Sequence, residues 1–372
     1  MRRTTILISL VVALTLTIAL GLTLTAARQP APIVELTAGK VPLMSAGALA
    51  FGPSGVLFVG DSIGGSIVAI DTEDTKPGPA GKINVEGVDA KIAALVGITA
   101  DQIVINDLAV NPLSKNVYVS ASRGRGPDAM PLIMRVDAAG KVTSLSLDNA
   151  KHVSVSLSDS PAANATGRQN PRVQTITDMS YVNGNILVAG LSNEEWSSAL
   201  RSIPYPFTAA PKGATLQIWH SSHGRYETES PIRTFVPYTI AGQQYVLAAY
   251  TCTPLVKIPV SSLKPGAKVK GVEIADLGAG NQPLDMVPYK KDGHEYILIA
   301  NSSFGVVKLK ADKLETYPAI SEPTVTDVAG VPYDKVGSLS NVRHIAQLDD
   351  ANVVLLMSKQ GGPSSLSTIA LP

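Results

Sequence analysis

The stretch that decides the fold is IVINDLAVNPLSKNVYVSAS, residues 103–122, in which two short apolar segments are joined by a polar turn. Asn106 and Asp107 stand ahead of the apolar residues that lead into that turn. The same arrangement recurs in ITDMSYVNGNILVAG (176–190) and in PLDMVPYKKDGHEYILIAN (283–301). Apolar residues with a period of two, bounded by Gly, Pro, Asn and Asp, predict short β-strands. Each stretch is therefore predicted to be an antiparallel strand pair with an acidic residue at its entrance.

Six such units align on the first residue of their apolar strand. Their starting positions are Ala48, Asp107, Asp178, Thr234, Asp285 and His344. Successive starts lie 51 to 71 residues apart, and each unit holds two strands and usually a third. Repeats of about 40–50 residues with insertions are typical of β-propellers, which have four strands in each blade. The sequence therefore predicts an all-β protein, a six-bladed β-propeller formed as one domain by residues 28–372.

The two ends of the repeat region predict how the ring closes. The sixth unit ends with VVLLMSK and STIALP, one strand short of a full blade. An apolar segment before the first unit, Ile33–Thr37, is available to pair with this last blade. Such pairing would cover a sheet edge that would otherwise be open to aggregation. Two insertions interrupt the rhythm: residues 88–102 have the apolar spacing of a helix, and residues 192–213 are long for a loop.

Composition limits the classes of partner. The chain has 372 residues, 45% of them hydrophobic and 16% charged, with a net charge of +1. No basic run alternates with aromatic residues, so a nucleic-acid partner is not expected. Cys252 is the single cysteine, which excludes an intramolecular disulfide. A core of this size can hold the domain together without one.

The N-terminal 27 residues predict export. Arg2 and Arg3 precede an apolar run, Ile6–Leu24, that ends in the small residues Ala26 and Ala27. This is the pattern of a secretory signal peptide, removed in the mature protein. The run also approaches the roughly 20 residues that span a bilayer, so an uncleaved N-terminal anchor is the alternative. In both cases the propeller is expected outside the cytoplasm, periplasmic or extracellular, and a membrane is a partner only through an uncleaved segment.

The strand pair DLAVNPLSKNVYVSAS, 107–122, resembles those of the NHL, SMP-30/gluconolactonase and paraoxonase-like six-bladed propellers. The resemblance extends as a rhythm over most of residues 48–372. It implies the fold more directly than a function. SMP-30-like enzymes hold a divalent ion with a Glu, Asn and Asp set, and the resemblance assigns Asn106 and Asp107, with Asp178 or Asp285, to those positions. The chain departs from the pattern at Ala48, where those enzymes have a ligating Glu.

Propeller geometry places two groups of residues on one face, at the mouth of the central channel. The first group consists of residues at or beside the inner strands: Asn106, Asp107, Asp178, Thr234, Asp285, Arg343 and His344. The second group lies where the second strands end: Asp61, Arg123, Asn193, Glu194, Cys252, Asn301 and Lys359. Converging carboxylates raise one another's pKa unless a cation or a basic group lies among them. The candidate metal ligands are therefore Asp107, Asp178, Asp285 and His344, for Ca²⁺, Mg²⁺ or Zn²⁺.

The same aspartates have a structural interpretation, in which their oxygens accept backbone N–H groups at the entrance to each strand. Two further candidates lie elsewhere. The segment WHSSH, 219–223, is a hairpin turn or, with Glu227, a surface metal site, since it lacks the helix and the intervening Glu of a zincin. Cys252 and His344 are the candidates for a thiolate–imidazole pair.

Two functions follow. In the first, an exported propeller binds a protein or small-molecule ligand at the mouth of the channel without catalysis. In the second, it is a divalent-metal hydrolase or lactonase in which Asp107 or His344 is the general base. No cofactor is assigned with certainty, and a divalent cation is the one candidate.

Overall fold

A computed structural model describes residues 35–372, except residues 79–80, 127, 165–169, 325–327 and 360. The predicted signal segment, with Ile33 and Val34 of the predicted closing strand, lies outside the described residues. Among the residues described, no helix has both the length and the apolar character that crossing a membrane requires.

The described residues form 27 strands. The strands up to residue 156 are β1 (Thr37–Gly39), β2 (Leu49–Phe51), β3 (Val56–Asp61), β4 (Ser66–Asp71), β5 (Ile103–Val110), β6 (Val117–Arg123), β7 (Met130–Val136), β8 (Val142–Ser144) and β9 (Ala150–Ser156). The strands from residue 178 to 259 are β10 (Asp178–Val182), β11 (Asn185–Leu191), β12 (Ser198–Pro204), β13 (Ala214–His220), β14 (Arg225–Glu227), β15 (Ile232–Ile240), β16 (Gln243–Tyr250) and β17 (Pro254–Pro259). The remaining strands are β18 (Lys268–Lys270), β19 (Val272–Asp276), β20 (Pro283–Lys291), β21 (His294–Asn301), β22 (Gly305–Lys310), β23 (Ala329–Gly330), β24 (Tyr333–Lys335), β25 (Val342–Gln347), β26 (Asn352–Ser358) and β27 (Ser364–Ala370).

Helices are few in the described residues. The α-helix α1 spans Val88–Val96, inside the segment predicted to be helical. Gly97 follows it with a φ of 71°, the left-handed conformation in which glycine commonly ends a helix. Short 3₁₀ turns occur at Pro53–Gly55, Ala100–Gln102, Pro171–Gln174, Val260–Ser262 and Leu314–Thr316.

The strands form six sheets, which confirms the predicted six-bladed propeller. Blades are numbered here by the order of their inner strands along the chain. In the order of hydrogen-bonded neighbours, the first blade is β1-β9-β4-β3-β2 and the second is β5-β6-β7-β8. The third is β10-β11-β12-β13-β14, with β18 pairing beside β13, and the fourth is β15-β16-β17-β19-β23. The fifth is β20-β21-β22-β24 and the sixth is β25-β26-β27.

The blades do not follow one another around the ring in sequence order. The inner strand β2 lies between β5 and β10, and β25 lies between β20 and β5. The order around the ring is therefore first, third, fourth, fifth, sixth, second. The chain forms three strands of the first blade, builds the second blade on one side of it, and returns with β9 to extend the first blade before continuing on the other side.

The core consists of six apolar clusters, one between each pair of adjacent blades. In β3, Phe58 packs into the cluster shared with the third blade, whereas Leu57 and Val59 pack into the cluster shared with the second. Successive side chains point to opposite faces of a strand, so a blade buried on both faces needs an almost continuous apolar run. Each fully buried residue of this kind stabilises the fold by about 1.5–3 kcal/mol.

Closure of the ring differs from the prediction. The described part of the N-terminal segment, Thr37–Gly39, pairs antiparallel with β9 on the outer edge of the first blade rather than with the last blade. The segment that pairs with β27 comes from the connection between the first two blades. There, Val85 and Leu366 exchange both backbone hydrogen bonds at 2.9 Å, and the Ile83 amide donates to Oγ1 of Thr368 at 2.8 Å. The edge of the last blade is therefore covered by Ile83–Val85, and not by the predicted segment Ile33–Thr37 as far as that segment is described.

A second correction concerns residues 192–213. The segment predicted to be a long loop contains β12, a full strand of the third blade. Its apolar pattern is interrupted by Arg201, which is completely buried. The Arg201 Nε donates to Oδ1 of Asp159 at 2.8 Å, and its other nitrogens donate to the carbonyls of Thr175 and Leu191. A buried charge paired in this way is tolerated in a core, but it hides the strand from a hydrophobicity pattern.

Candidate functional site

Asp107, Asp178 and Asp285 come together at the axis of the ring. They line a channel of about 270 Å³ together with inner-strand residues such as Leu49 and Phe235. They belong to the second, third and fifth blades, which alternate around the ring with the first, fourth and sixth. The acid at the strand entrance thus recurs with approximate threefold symmetry within a sixfold fold.

Each aspartate connects its own blade to the next one. One carboxylate oxygen accepts the amide of the following residue at 2.7 Å: Leu108 for Asp107, Met179 for Asp178 and Met286 for Asp285. The other oxygen accepts an inner-strand amide of the neighbouring blade: Leu49 to Asp107 at 2.7 Å, Phe235 to Asp178 at 2.8 Å and Ile345 to Asp285 at 2.9 Å. A hydrogen bond to an ionised group contributes about 1.5–3 kcal/mol. All three aspartates therefore have the structural role predicted for them, since their oxygens accept backbone N–H groups at the strand entrances.

His344 supplies the positive charge of the channel. Its Nδ1 lies 3.3 Å from Oδ1 of Asp107 and 3.5 Å from Oδ2 of Asp285. Burial disfavours the imidazolium, but the two carboxylates outweigh it and raise the pKa of His344 to about 10. Asp178 has no such cation, and its pKa is raised well above the ordinary value by burial and by the charges of Asp285 and Asp107. The channel therefore holds an imidazolium with two partners and a third, readily protonated carboxyl.

A larger cavity of about 1240 Å³ opens above this channel. Its walls include the residue immediately before the inner-strand position in five of the six blades: Asn106, Thr177, Arg233, Leu284 and Arg343. His344 lines this mouth cavity, and its Nδ1 lies within 3.5 Å of Asp107 and Asp285, which line the channel. Polar groups from the ends of the second strands of the fifth and sixth blades, Asn301, Ser302, Ser358 and Lys359, complete it together with Asn341, which lies just before β25.

Arg233 is the cation most deeply placed in the mouth cavity. Its Nη1 lies 3.5 Å from Oε1 of Gln174, and Gln282, with its amide oriented by the hydrogen-bond network, accepts from Nε at 3.0 Å and from Nη2 at 2.7 Å. Burial lowers the pKa of Arg233. Within the described ranges no carboxylate lies within ion-pair distance of Arg233, Arg343 or Lys359.

The residues predicted to form the face are divided by the structure. Eight line one of the two spaces: Asn106, Asn301, Arg343, His344 and Lys359 the mouth cavity, and Asp107, Asp178 and Asp285 the channel. Six line neither: Asp61, Arg123, Asn193, Glu194, Thr234 and Cys252.

Several of these six have structural partners. The buried carboxylate of Asp61 accepts the amides of Met44, Ser45 and Gly64 and thereby holds the entry to the first blade. Glu194 forms an ion pair with Lys212 at 2.7 Å. The described contacts of Cys252 include none with His344, so the structure does not bring the predicted thiolate–imidazole pair together.

Sequence reasoning missed Arg233 and Gln282. The signal was available, since Arg233 stands one residue before Thr234 as Asn106 stands before Asp107 and Arg343 before His344. Successive residues at a strand entrance point in opposite directions, so the position before each acid faces the cavity above the channel. Gln282 has no comparable signal, because it reaches Arg233 from the neighbouring blade.

Comparisons with known proteins add little to this geometry. No protein-family model matches the chain, and a search of the curated proteins finds no match. Among solved structures, the chain is similar to the PQQ-bound aldose sugar dehydrogenase of Streptomyces coelicolor, at 11% identity over 91% of this chain and 99% of that one, with a TM-score of 0.33. It is also similar to the Cps50 (Swd1) β-propeller domain of Myceliophteria thermophila, at 10% identity over 88% and 84%, with a TM-score of 0.38.

A third similar structure is an arabinanase of Bacillus subtilis, at 13% identity over 72% of this chain and 94% of that one, with a TM-score of 0.38. Identities and TM-scores this low carry no argument about function. The propeller fold rests on the six sheets themselves, and the resemblance to the SMP-30 and NHL families stays a prediction.

Proposed function

We propose that the chain is a non-catalytic binding propeller that takes an anionic ligand in the mouth cavity. The observation that carries the proposal is the set of Arg233, Arg343 and Lys359 around one cavity, with no carboxylate within ion-pair distance of them among the described residues. Arg125 and two acids also line this cavity, but the carboxylate of Asp89 accepts the amides of Ala90 and Ser364 and that of Asp101 accepts from the side chain of Gln102. A half-buried guanidinium without a counter-charge is costly unless a partner supplies one. An anion bound between these groups would supply it.

The walls indicate the class of ligand. Guanidinium groups recognise carboxylate, sulfate and phosphate groups through paired hydrogen bonds. The amide and hydroxyl groups of Asn301, Ser302 and Asn341 supply further polar contacts beside them. The cavity is larger than the roughly 300–1,000 Å³ of most small-molecule sites. An acidic peptide segment or an acidic oligosaccharide suits this combination of size and charge.

Binding can be tested with a fluorescent poly-glutamate peptide and with an oligogalacturonate titrated against the full chain. We expect Arg233→Gln to weaken binding of the preferred probe by about tenfold or more, since a hydrogen bond to a charged group contributes about 1.5–3 kcal/mol. Arg343→Gln should have a similar effect. Arg123→Gln is the matched control, because this exposed arginine was predicted on the same face but does not line the cavity. Equal affinities for all three variants would refute the proposal.

A divalent-metal hydrolase is the second candidate, favoured by one observation. Ligand atoms of Asp107, Asp285 and His344 lie within 4.8 Å of one another. Against it, the oxygens of both carboxylates already accept backbone amides, and the imidazolium of His344 lies between them. A metal would have to displace the proton of a group whose pKa is about 10. We therefore favour the binding function.

Metal titration separates the two functions. If the second is correct, Ca²⁺, Mg²⁺ or Zn²⁺ should raise the melting temperature, since an ion that binds the folded state stabilises it by mass action. The shift should disappear in His344→Gln, and the metal-loaded chain should hydrolyse a lactone or an ester. We expect no His344-dependent shift at neutral pH and no metal-dependent turnover.

We also propose that the propeller acts outside the cytoplasm. Support comes from the sequence alone, from Arg2, Arg3 and the apolar run that follows them. Fractionation of cells that express the full chain tests this proposal. Recovery of the propeller in the cytosolic fraction would contradict it.

A further inference from the structure

A second cluster of ligand-type side chains lies at the far edge of the third blade. Here β13 ends at His220, β14 begins at Arg225, and Ser221–Gly224 form the turn between them. Glu227 pairs across the hairpin with Ile218, two residues before His220, so both side chains are on one face of the hairpin. The turn brings His223 back over the same face. The WHSSH segment is therefore a hairpin turn, as predicted. The remaining question is whether His220 and His223 also bind a metal ion together with Glu227.

The three side chains are in direct contact. Nδ1 of His220 lies 2.9 Å from Oε2 of Glu227, and Nδ1 of His223 lies 2.6 Å from Oε1. The two imidazole rings are 3.9 Å apart between centroids. Ligand atoms of all three residues lie within 4.8 Å of one another.

Two of the three side chains are removed from solvent. The side chain of His220 is 2% exposed and that of Glu227 is 3% exposed, whereas that of His223 is 41% exposed. The cluster is therefore a carboxylate below the surface with one imidazole beside it that solvent can reach.

Unsatisfied polar atoms surround this cluster. Among the described residues, Nε2 of His220 and the hydroxyls of Ser222 and Thr324 are buried without a hydrogen-bond partner. Thr324 lies against the turn, since its amide donates to the carbonyl of Ser221 at 3.1 Å. Buried polar atoms in native proteins nearly always have a partner, and an ion or a water is the usual explanation where protein atoms supply none.

We propose that His220, His223 and Glu227 bind a zinc ion. Two imidazole nitrogens and one carboxylate oxygen are a ligand set that zinc takes in proteins, with one further position left to water. Ligand atoms about 2.0–2.2 Å from a tetrahedral zinc lie roughly 3.3–3.5 Å apart. The 2.9 Å contact of His220 with Glu227 therefore needs to lengthen by about 0.4–0.6 Å and the 2.6 Å contact of His223 by about 0.7–0.9 Å. The larger movement falls on His223, the exposed side chain of the three.

The chemistry of the cluster favours zinc over alkaline-earth ions. Ca²⁺ and Mg²⁺ prefer six or more oxygen ligands, whereas imidazole suits zinc and its transition-metal neighbours. Arg225, whose Nε lies 3.1 Å from Oε1 of Glu227, competes for the carboxylate but is largely exposed and free to turn away. This site is far along the blade from the inner strand β10 and is independent of the proposed ligand cavity.

Cobalt(II), a spectroscopic substitute for zinc, tests the site in the full chain. We expect one Co²⁺ per chain with the absorption of a four-coordinate ion, displaced by Zn²⁺. His223→Gln is the primary variant because the residue is exposed, and Glu227→Gln is the second. Each should weaken Co²⁺ binding by at least about 100-fold, since even loss of an outer-shell partner costs about 10–100-fold.

His294→Gln is the matched control. Nδ1 of His294 lies 2.7 Å from Oδ2 of Asp312 in an exposed pair that belongs to neither of the ligand groups found in the described residues. Co²⁺ binding that survives in His223→Gln, or that is absent from the unaltered chain, would overturn the proposal. Loss of Co²⁺ in His344→Gln with retention in His223→Gln would also overturn it and assign the ion to the channel.

Discussion

At the scale of single residues, the protonation of His344 determines the charge at the axis of the ring. The imidazolium is paired with Asp107 and Asp285, and its pKa of about 10 lies well above the ordinary 6.5. Removing one partner of a buried ion pair costs about 3–5 kcal/mol, because the remaining charge is left without compensation. This histidine is therefore expected to contribute to stability whether or not the channel binds anything.

The contribution of His344 depends on pH in a predictable direction. Since the pKa is higher in the folded state, the stabilisation is complete below pH 6.5 and is lost as pH rises towards 10. We expect His344→Gln to lower the free energy of unfolding by about 3–5 kcal/mol at pH 6 and by much less at pH 10. Urea denaturation at both pH values measures this, with His152→Gln as the control, a histidine whose Nδ1 contacts only a backbone carbonyl. A loss equal at both pH values would contradict the assignment.

Glu273 should show the opposite effect on the free energy of unfolding when it is replaced. Its pKa is raised to about 8 by burial and by the charge of Asp276, which outweigh the hydrogen bonds from Ser221. Because the pKa of Glu273 is higher in the folded chain than in the unfolded chain, ionisation of this carboxyl disfavours the folded state. The free energy of unfolding therefore falls as pH rises from about 4.5 to 8. We expect Glu273→Gln to stabilise the fold by on the order of 2–4 kcal/mol at pH 9 and to have little effect at pH 4.5. Urea denaturation at the two pH values measures this effect. A lower free energy of unfolding for Glu273→Gln at pH 9 would contradict the prediction and show that the ionised carboxylate stabilises the fold.

At the scale of elements, the aspartates at the strand entrances join blades in pairs. Each carboxylate accepts one amide from its own inner strand and one from the next blade. The pairs formed in this way are second with first, third with fourth, and fifth with sixth. The other three junctions have no such aspartate: apolar clusters pack there, together with the ion pair of His344 with Asp107 between the sixth and second blades.

Removal of the aspartates should therefore destabilise the fold to different degrees. Each Asp→Ala variant leaves two inner-strand amides without an acceptor, at about 1–3 kcal/mol for each amide. Asp107→Ala and Asp285→Ala also leave His344 with a single carboxylate, so at pH 7 they should cost more than Asp178→Ala. Urea denaturation of the three variants measures the order. A larger loss for Asp178→Ala would contradict the charge assignment of the channel.

At the scale of the whole molecule, the order of blades makes the connection between the first two blades the closing element. Ile83–Val85 of this connection lie beside β27, where Val85 pairs with Leu366, and α1 then packs its buried Val88, Ile92 and Ala93 between the second and sixth blades. Asp89 of the same helix accepts the amide of Ser364 at 3.0 Å. This one connection therefore joins the last blade to the second.

Breaking that connection should destabilise the ring as a whole. Val85→Pro removes the amide that donates to Leu366, and we expect a loss of about 3 kcal/mol or more. Ala38→Pro is the control, because β1 is a three-residue strand at the outer edge of the first blade, where proline is tolerated. Thermal melts of the two variants measure the difference. Equal melting temperatures would show that the pairing of Val85 does not hold the ring closed.

Asp61 and Glu194, which were predicted on the same face, line neither the channel nor the mouth cavity. Local pattern was nevertheless enough to predict the six blades, a helix within residues 88–102 and the approach of Asp107, Asp178 and Asp285 to the axis. These features depend on apolar alternation and on turn residues, which act between near neighbours in the chain. The position of Arg233 was readable in the same way, one residue before an inner strand. By contrast, the buried Arg201 concealed β12, because its charge is compensated only by Asp159, 42 residues away.

Long-range contacts, rather than local pattern, set the order of the blades, the segment that covers the last sheet, and the pairing of each carboxylate with an amide of the next blade. Several edges were equivalent partners for Thr37–Gly39 and for Ile83–Val85 as far as local pattern is concerned. The pairings observed follow the order of the blades, in which the second blade lies between the first and the sixth. Contacts of this kind join residues as far apart as Val85 and Leu366, and no local pattern of residues specifies them.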